Sequence, residues 1–471
     1  MKITDKERAA ILQSLGAGVV PSIGLQHIQV GRKEEVTALL GDLEQVRSGG
    51  AAIRFVVGRY GSGKSFFLNV IKAVALEKKF LVARADITTE RRLYGRAGQA
   101  RALYQELLRN LATRSRPEGG ALASVIERWV GEVAQDARAN GGGEGEIRRR
   151  VQELTRPLQD LVGGFDFAEV LCQYQRGHDE HDEARQAAAV RWLRGEYTSK
   201  VEARKDLGVR AIVDDESAYD FLKLFAAFAR LAGYSGLILL VDELVVLSHR
   251  LQNRQARDSN YEAILRILND CLQGNVEGMA FLFAATDHCL DDKRRGVASY
   301  EALATRLAQN RFASGGLVDR TGPILRLESL KPEDCYVLLH NVRRVHARGN
   351  DEKALLPDDA IVAYLEDCNR RMGAAYFQTP RETMKDFVGL LGILEQNPGS
   401  RWRDLIAGIH TKGAAPVDPS EAYAAENAGE NEDAPEKPEP RKPAAREPAA
   451  KSPASGDDPG PKGDDLASFR I

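Results

Sequence analysis

Three glycines, a lysine and two serines occur in the segment GRYGSGKS, which spans residues 58–65. The segment fits the pattern G-x-x-x-x-G-K-[ST] and lies between the apolar run AIRFVV and a stretch with helical spacing. In such a loop, glycines let successive backbone N–H groups point at phosphate oxygens, and the following helix adds its positive N-terminus. Lys64 is expected to reach the β- and γ-phosphates, and the Ser65 hydroxyl to bind Mg²⁺. The expected nucleotide-binding residues are Gly58, Gly61, Ser62, Gly63, Lys64, Ser65 and Phe66.

A pair of carboxylates follows a second apolar run, GLILLVDE. Asp242 is expected to bind Mg²⁺ together with Ser65, and Glu243 to orient or deprotonate the attacking water. A nucleoside kinase passes phosphate to a bound acceptor and does not need this pair, so the pair favours nucleotide hydrolysis. A third run, FLFAATD, ends in Thr286 and Asp287. One of these two is expected to lie between the acidic pair and the γ-phosphate, and the sequence does not choose between them.

Five short apolar runs indicate the strands that must position these side chains. Each run is continuously apolar rather than alternating, which is typical of parallel strands covered on both faces. The run before the glycine loop and the helical stretch after it form a strand–loop–helix unit. We therefore predict an α/β fold with a parallel five-stranded sheet, whose strands lie within residues 52–57, 79–87, 236–243, 279–287 and 323–327.

The helical patterns are unevenly distributed along the chain. Far more residues separate the second and third apolar runs than one crossover helix needs, which predicts a large helical insertion at about 98–234. Helical patterns after residue 328 predict a small lid domain. The expected domains are a nucleotide-binding core at 1–328, a helical lid at 329–411 and a disordered tail at 412–471.

The tail prediction depends on composition. Residues 412–471 contain ten of the eighteen prolines and are otherwise mostly Ala, Glu, Asp, Lys and Gly. Such a segment cannot bury enough apolar surface to offset the conformational entropy it would lose on folding. Its last large apolar residues, Leu466, Phe469 and Ile471, form either a frayed terminus or a short docking peptide for a partner.

Charge and cysteine content narrow the class of protein. The formal net charge is −2, so no strong field favours nucleic acid or membrane as a partner. The five cysteines are scattered without a C-x-x-C pair, which favours buried free thiols in a reducing compartment. The N-terminal residues lack the apolar core of a signal peptide, and no stretch approaches the ~18 apolar residues of a membrane span. We expect a cytoplasmic protein without membrane contact.

Basic clusters leave direct DNA binding open. DDKRR (291–295) and EIRRR (146–150) are the clearest examples, and both lack the interleaved aromatic residues of a base-stacking platform. Each cluster is interpreted first as a solvated face. His178 and His181 lie in RGHDEHDE without a second histidine–carboxylate pair nearby, so we interpret them as part of a polar loop.

The order of these motifs resembles that of the AAA+ ATPases, in particular the branch of origin-recognition and archaeal initiator ATPases. The segment IQVGRKEEVTALLGDLEQV resembles the leading box of that branch. This likeness implies that Val30, Gly31 and Arg32 lie against the adenine. The resemblance therefore implies an AAA+ P-loop NTPase in which ATP and Mg²⁺ are the cofactors.

Two further segments resemble the arginine motifs of the same proteins. YEALATRLAQNRF resembles the helix that carries an arginine finger; Arg306 is the best match by position, and Arg311 and Arg320 are alternatives. A neighbouring subunit would supply this finger, so the likeness implies a homo-oligomer. TPRETMKDF resembles the second sensor of the helical lid, which implies that Arg381 lies near the γ-phosphate.

A closer resemblance covers most of residues 8–411, including the long insertion. SLGAGVVPSIGLQHIQVGR, FVVGRYGSGKSFFL and ADITTERRLYGRAGQARALYQELLRNL are similar to the BREX-type ATP-binding proteins of bacterial phage defence, the BrxD family. This resemblance implies defence proteins such as a helicase or a methylase as partners. Two hypotheses follow: an oligomeric ATPase that remodels or loads a DNA-associated complex, and a nucleotide-gated adaptor with slow hydrolysis.

Overall fold

The computed structural model describes residues 3–313, 318–372 and 380–408, which belong to one compact unit. The predicted disordered tail at 412–471 lies outside these residues, as do the apolar residues near its end. All five cysteines are buried and lie outside any disulfide, as the sequence predicts.

A five-stranded sheet forms the centre of the fold. Its strands are β1 Ala51–Val57, β2 Leu81–Asp86, β3 Leu237–Asp242, β4 Met279–Ala285 and β5 Ile324–Arg326. They occur in the order β2-β3-β4-β1-β5, and every neighbouring pair is parallel. This confirms the predicted α/β class and the parallel five-stranded sheet.

The strands are buried because apolar side chains cover both of their faces. Every residue of β1, β3 and β4 is buried. In the register of β2 with β3, Asp86 lies opposite Asp242, and in that of β1 with β4, Val57 lies opposite Ala285. The carboxyl ends of the strands therefore meet at one edge of the sheet, which is where parallel α/β proteins bind ligands.

Two of the first three helices cover one face of the sheet. These helices are α1 Asp5–Gly16, α2 Lys33–Arg47 and α3 Lys64–Glu77. α2 and α3 pack onto the sheet through one apolar cluster that includes Leu39, Leu68 and Ile71. Because α3 begins at Lys64, its packing fixes the end of the glycine loop.

The helices between β2 and β3 extend the opposite face of the sheet. They are α4 Gln99–Arg109, α5 Leu122–Ala139, α6 Glu144–Leu154, α7 Gly164–Asp179, α8 Glu183–Leu193, α9 Lys200–Leu207 and α10 Ala218–Leu231. Their aromatic side chains include Trp129, Trp192 and Phe228, which share one hydrophobic cluster with Phe55 and Phe281 of the sheet. The helical insertion therefore contributes to the main core.

Three short helices and one long helix follow the ends of β3 and β4. They are α11 Val245–His249, α12 Arg254–Gln273, α13 Asp287–Asp291 and α14 Glu301–Arg306. The helical pattern at 300–312 continues further than the helix, because α14 ends at Arg306. Within the described residues, 3-10 helices occur at Leu25–His27, Arg156–Leu158, Val297–Ser299 and Asp351–Lys353.

A third apolar cluster joins the two ends of the described chain. The last helices of the described chain are α15 Pro332–His346, α16 Asp358–Met372, α17 Pro380–Gln396 and α18 Trp402–Gly408. Ile11 of α1 packs among Leu339, Tyr364 and Phe387 of these helices, and Phe66 of α3 packs against the same cluster. α1 is therefore packed with the helices after residue 328, although it lies far from them in sequence.

Candidate functional site

The glycine loop connects β1 to α3 with a backbone that only small residues allow. Gly61 and Gly63 have φ values of 75° and 91°, in the left-handed region that favours glycine. Gly58 is restricted by space, since a Cβ there would lie 2.6 Å from the Ser62 hydroxyl oxygen and 3.2 Å from the Leu327 carbonyl oxygen. The loop is therefore tightly closed, as a phosphate cradle requires.

The Lys64 side chain lies along this loop. Its ammonium donates hydrogen bonds of 2.9 Å to the carbonyl oxygens of Gly58 and Arg59. Burial lowers the pKa of Lys64, and the carboxylates of Asp242, Glu243 and Asp287 oppose that lowering. The ammonium is consequently held at the place where the loop, β3 and β4 come together.

Ser65 and Asp242 are in direct contact. The Ser65 hydroxyl donates a 2.8 Å hydrogen bond to Oδ2 of Asp242, which is buried at the end of β3. The backbone N–H of Glu243 donates to the other oxygen of Asp242 at 2.9 Å. Glu243 itself is exposed and has a φ of 60°, a conformation that non-glycine residues rarely adopt and that is often found at functional sites.

Arg84 of β2 is a member of this group that sequence reasoning missed. Its guanidinium donates to Oδ2 of Asp242 at 3.0 Å and to the side-chain oxygen of Asn69 at 2.6 Å. It also lies 3.9 Å from Asp86, whose pKa is raised by burial. A charged residue inside the apolar run LVARAD was the available signal, because an arginine that is partly removed from water favours an anionic partner.

Thr286 and Asp287 make different contacts at the end of β4. The Thr286 hydroxyl accepts a 3.1 Å hydrogen bond from the backbone N–H of Cys289 and thereby caps α13. Asp287 pairs with Arg326 of β5 at 2.6 Å. The Thr286 hydroxyl keeps its own proton to donate, whereas Asp287 can only accept while ionised.

The leading segment reaches the loop through Arg32. Its guanidinium donates a 3.4 Å hydrogen bond to the carbonyl oxygen of Ser62, and burial lowers its pKa. Gly31 has a φ of 65°, and a Cβ there would lie 3.5 Å from the Asp334 carboxylate of α15. Val30 is half-buried. These contacts place Gly31 and Arg32 between the glycine loop and the helices after residue 328.

Arg381, in the first turn of α17, contacts the glycine loop of its own chain. Its guanidinium donates a 2.7 Å hydrogen bond to the Tyr60 hydroxyl and lies over the Tyr60 ring, 5.7 Å from its centroid. It also donates to the carbonyl oxygen of Gly18. The structure therefore brings this predicted sensor to the same loop as Lys64.

The three candidates for an arginine finger make their described contacts elsewhere. Arg306 is exposed and donates to Asn269 of α12 at 2.8 Å and to the Ala302 carbonyl oxygen at 3.0 Å. Arg320 pairs with Glu34 at 2.6 Å, and Arg311 is exposed. The contacts of Arg306 are thus with α12 and its own helix.

The residues of this site fit a nucleoside triphosphate and a magnesium ion. Among the described residues, the buried Ser62 hydroxyl has no hydrogen-bond partner, as expected for a group that faces a ligand in a phosphate loop. The Ser65 hydroxyl and the Asp242 carboxylate offer the oxygen ligands that Mg²⁺ prefers. The loop backbone and Lys64 offer donors and positive charge for phosphate.

Basic clusters in the insertion are neutralised locally. Arg148 pairs with Glu169 at 2.8 Å, and Arg149 pairs with Glu146 at 2.7 Å. In the cluster at 291–295, Arg295 donates to the His249 and Leu251 carbonyl oxygens. These contacts favour the interpretation of the clusters as solvated faces.

A parallel α/β sheet with a glycine loop between β1 and α3 is consistent with the P-loop class of nucleotide-binding proteins. The family model for the BREX system ATP-binding protein BrxC/D matches residues 3–410, and the chain therefore belongs to this family. It is an ATP-binding protein of a phage-defence system. A comparison with curated proteins finds no match. Within the part of the chain that the structure describes, every helix is too short or too polar to cross a bilayer.

Proposed function

We propose that this protein hydrolyses ATP to ADP and phosphate with Mg²⁺, as an AAA+ ATPase of the origin-recognition type. The observation that carries the proposal is the 2.8 Å contact between the Ser65 hydroxyl and Asp242, next to Lys64 and Glu243. This arrangement joins a phosphate loop, a metal-binding pair and a carboxylate at one sheet edge. A site that only binds nucleotide does not require the carboxylate.

Each group has a distinct role in this proposal. Ser65 and Asp242 hold Mg²⁺, which neutralises charge on the phosphate oxygens when it is bound. Lys64 and the loop N–H groups bind the phosphates. Glu243 orients the attacking water and accepts a proton from it. Thr286 is favoured over Asp287 as the group beside the γ-phosphate, because its hydroxyl donates a hydrogen bond and Asp287 is held by Arg326.

We propose further that the site is completed between subunits of a homo-oligomer. Arg306 is exposed, and its described contacts lie away from the glycine loop of its own chain. In an oligomer, Arg306 would therefore contact the nucleotide bound to a neighbouring chain. ATP turnover in such an oligomer would remodel or load a DNA-associated complex in the cytoplasm, with a helicase or a methylase of the defence system as partner.

An alternative function is supported by the contact of Arg381 with Tyr60. This contact links α17 directly to the glycine loop, so ATP binding could change the position of the lid. The protein would then act as a nucleotide-gated adaptor that recruits defence partners, and slow hydrolysis would reset it.

Two substitutions test the proposed hydrolysis. We expect Lys64→Ala to abolish ATP binding and Glu243→Gln to retain binding while it lowers turnover at least about 100-fold, the effect of losing a general base. Binding is measured with a fluorescent ATP analogue, and turnover by phosphate release with and without DNA and defence partners. The controls are Lys78→Ala, at the other end of α3, and Glu262→Gln, exposed on α12.

Two results would decide against hydrolysis. Turnover that is unchanged in Glu243→Gln would remove Glu243 from its proposed role. Turnover far below one per minute under every condition, together with a monomeric mass in ATP, would favour the adaptor over the ATPase.

A further inference from the structure

Two histidines and an aspartate lie together beside the helices that follow β3 and β4. His249 is the last residue of α11, His288 lies in α13, and Asp292 follows α13 directly. One ligand atom from each of the three lies within 4.8 Å of the others. His288 and Asp292 are four residues apart on one helical turn, so their side chains share a face.

The hydrogen bonds of His249 define which of its nitrogens can bind a ligand. Its Nδ1 lies 2.6 Å from the Ser248 hydroxyl, whose own proton is donated to the Val245 carbonyl oxygen at 2.9 Å. While the Ser248 hydroxyl donates to Val245 it accepts from Nδ1, and the tautomer that makes both bonds has a lone pair on Nε2. A metal-binding histidine commonly has its second nitrogen held in this way.

The Nε2 atom of His249 is buried and has no hydrogen-bond partner among the described residues. It lies 3.9 Å from Oδ2 of Asp292, which is beyond hydrogen-bond distance. A buried acceptor without a partner costs free energy unless a ligand satisfies it. His249 belongs to the same group of possible metal ligands as His288 and Asp292.

The rings and the carboxylate are close to one another. The two imidazole rings lie with their centroids 4.4 Å apart. The backbone N–H of Arg294 donates a 2.7 Å hydrogen bond to Oδ1 of Asp292, and Oδ2 lies 3.9 Å from Nε2 of His249.

We infer that His249, His288 and Asp292 form a binding site for a transition-metal ion of the Zn²⁺ type. Two imidazoles and one carboxylate match the ligand preference of Zn²⁺, whereas Mg²⁺ prefers oxygen ligands alone. Bonds of about 2.1 Å place two tetrahedral ligands about 3.4 Å apart, so no distance between two of these ligand atoms has to shorten by more than about 1.4 Å. Three protein ligands leave the fourth position to water.

Such an ion would tie together the two segments that leave the nucleotide edge of the sheet. α11 begins two residues after Glu243, and α13 begins directly after Thr286. The site is separate from Ser65 and Asp242 and does not depend on ATP hydrolysis. It therefore adds a second metal site beside the site proposed for magnesium.

The test uses the full chain without a polyhistidine tag, stripped with a chelator and free of nucleotide. We expect one Zn²⁺ per chain in competition with a chromophoric indicator, unaffected by millimolar Mg²⁺, and visible absorption bands of a His-ligated site with Co²⁺. His288→Ala, which changes an exposed side chain, should weaken Zn²⁺ binding more than tenfold, as should Asp292→Asn. Zn²⁺ should raise the melting temperature of the unsubstituted protein and not that of His288→Ala.

His178→Ala is the matched control, because His178 is exposed, lies 3.5 Å from Asp179 and is not a member of the candidate metal group found among the described residues. Its Zn²⁺ affinity should equal that of the unsubstituted protein. The inference is overturned if the protein binds no stoichiometric Zn²⁺, if Mg²⁺ displaces the ion, or if His288→Ala binds it equally well.

Discussion

Arg381 and Arg306 are both predicted to act on the nucleotide, but the fold holds them in different surroundings. Arg381 contacts Tyr60 in the glycine loop of its own chain. Arg306 contacts Asn269 of α12 and the carbonyl oxygen of Ala302. One arginine is therefore placed at the loop by its own chain, and the other is held on a separate surface.

The comparison extends to the charge of the acceptors. Among the described residues, Arg306 and Arg381 are hydrogen-bonded only to neutral oxygens and to the Tyr60 hydroxyl. Arg320, by contrast, pairs with the Glu34 carboxylate at 2.6 Å. The charge of a guanidinium bound to neutral acceptors is not compensated, so it can pair with a phosphate. An arginine that is already paired with a carboxylate must first break that ion pair. This difference favours Arg306 over Arg320 as the finger.

The largest effect is expected for Arg306→Ala, if this residue serves a neighbouring subunit. Turnover should fall about 10³-fold, because an arginine finger stabilises charge on the transferred phosphoryl group. The affinity for ATP should change little, since Arg306 does not contact its own glycine loop. Phosphate release and fluorescent ATP binding measure the two quantities separately.

An experiment that mixes two inactive variants tests whether Arg306 acts on the nucleotide of a neighbouring chain. Arg306→Ala and Lys64→Ala are each expected to be inactive alone, but a mixture should regain turnover. In the mixture, an intact Lys64 from one chain meets an intact Arg306 from the other. Arg254→Ala removes an exposed arginine from α12 and serves as the control. Absence of complementation would place the action of Arg306 within its own chain.

A smaller effect is expected for Arg381→Ala, and it should appear in binding. Loss of a hydrogen bond to a charged phosphate corresponds to about 1.5–3 kcal/mol, or about tenfold to hundredfold in the affinity for ATP. The affinity for ADP should change less, because ADP lacks the γ-phosphate that Arg381 is proposed to contact. Titration of both nucleotides into the same variant measures this difference.

Lys385→Ala is the control for Arg381→Ala, since it removes the same charge one turn further along α17. It should leave both affinities unchanged. An equal loss of affinity for ATP and ADP in Arg381→Ala would contradict contact with the γ-phosphate. It would instead indicate a general role of Arg381 in attaching α17 to the loop.

Local patterns were sufficient to predict the sheet and the glycine loop. A continuous apolar run is a signal within six or seven residues, so β1 at Ala51–Val57 differs by one residue from the predicted 52–57. The spacing from Gly58 to Ser65 likewise depends on neighbours in sequence. The acidic ends of β3 and β4 could then be placed near the loop, because parallel strands end at one edge.

Contacts between distant parts of the chain were not predictable in the same way. Arg84 pairs with Asp242, 158 positions away, only because β2 and β3 are neighbours in the sheet. The packing of α1 against α17 also depends on the folded chain and has no local sequence signal. The proposed preference for Thr286 over Asp287 depends on the contact of Asp287 with Arg326, which lies on the other side of β1 in the sheet order.

The smallest effect is expected for Tyr60→Phe, which removes one hydrogen-bond acceptor from Arg381. The phenylalanine ring still lies beneath the guanidinium, and the carbonyl oxygen of Gly18 still accepts from it. The loss of one hydrogen bond corresponds to ~0.5–1.5 kcal/mol, or about twofold to tenfold in the affinity for ATP. Tyr60 should thus act by positioning Arg381 and not by contact with the nucleotide.

A double-mutant cycle separates these two roles of Tyr60. If Tyr60 acts through Arg381, Tyr60→Phe should weaken ATP binding in the unsubstituted protein and have no effect in the Arg381→Ala background. Additive losses would mean that Tyr60 contacts the nucleotide directly. Tighter ATP binding in Tyr60→Phe would contradict positioning and show that Tyr60 withholds Arg381 from the phosphate. The adaptor hypothesis would gain from that last result, because the lid would then be released from the loop when ATP binds.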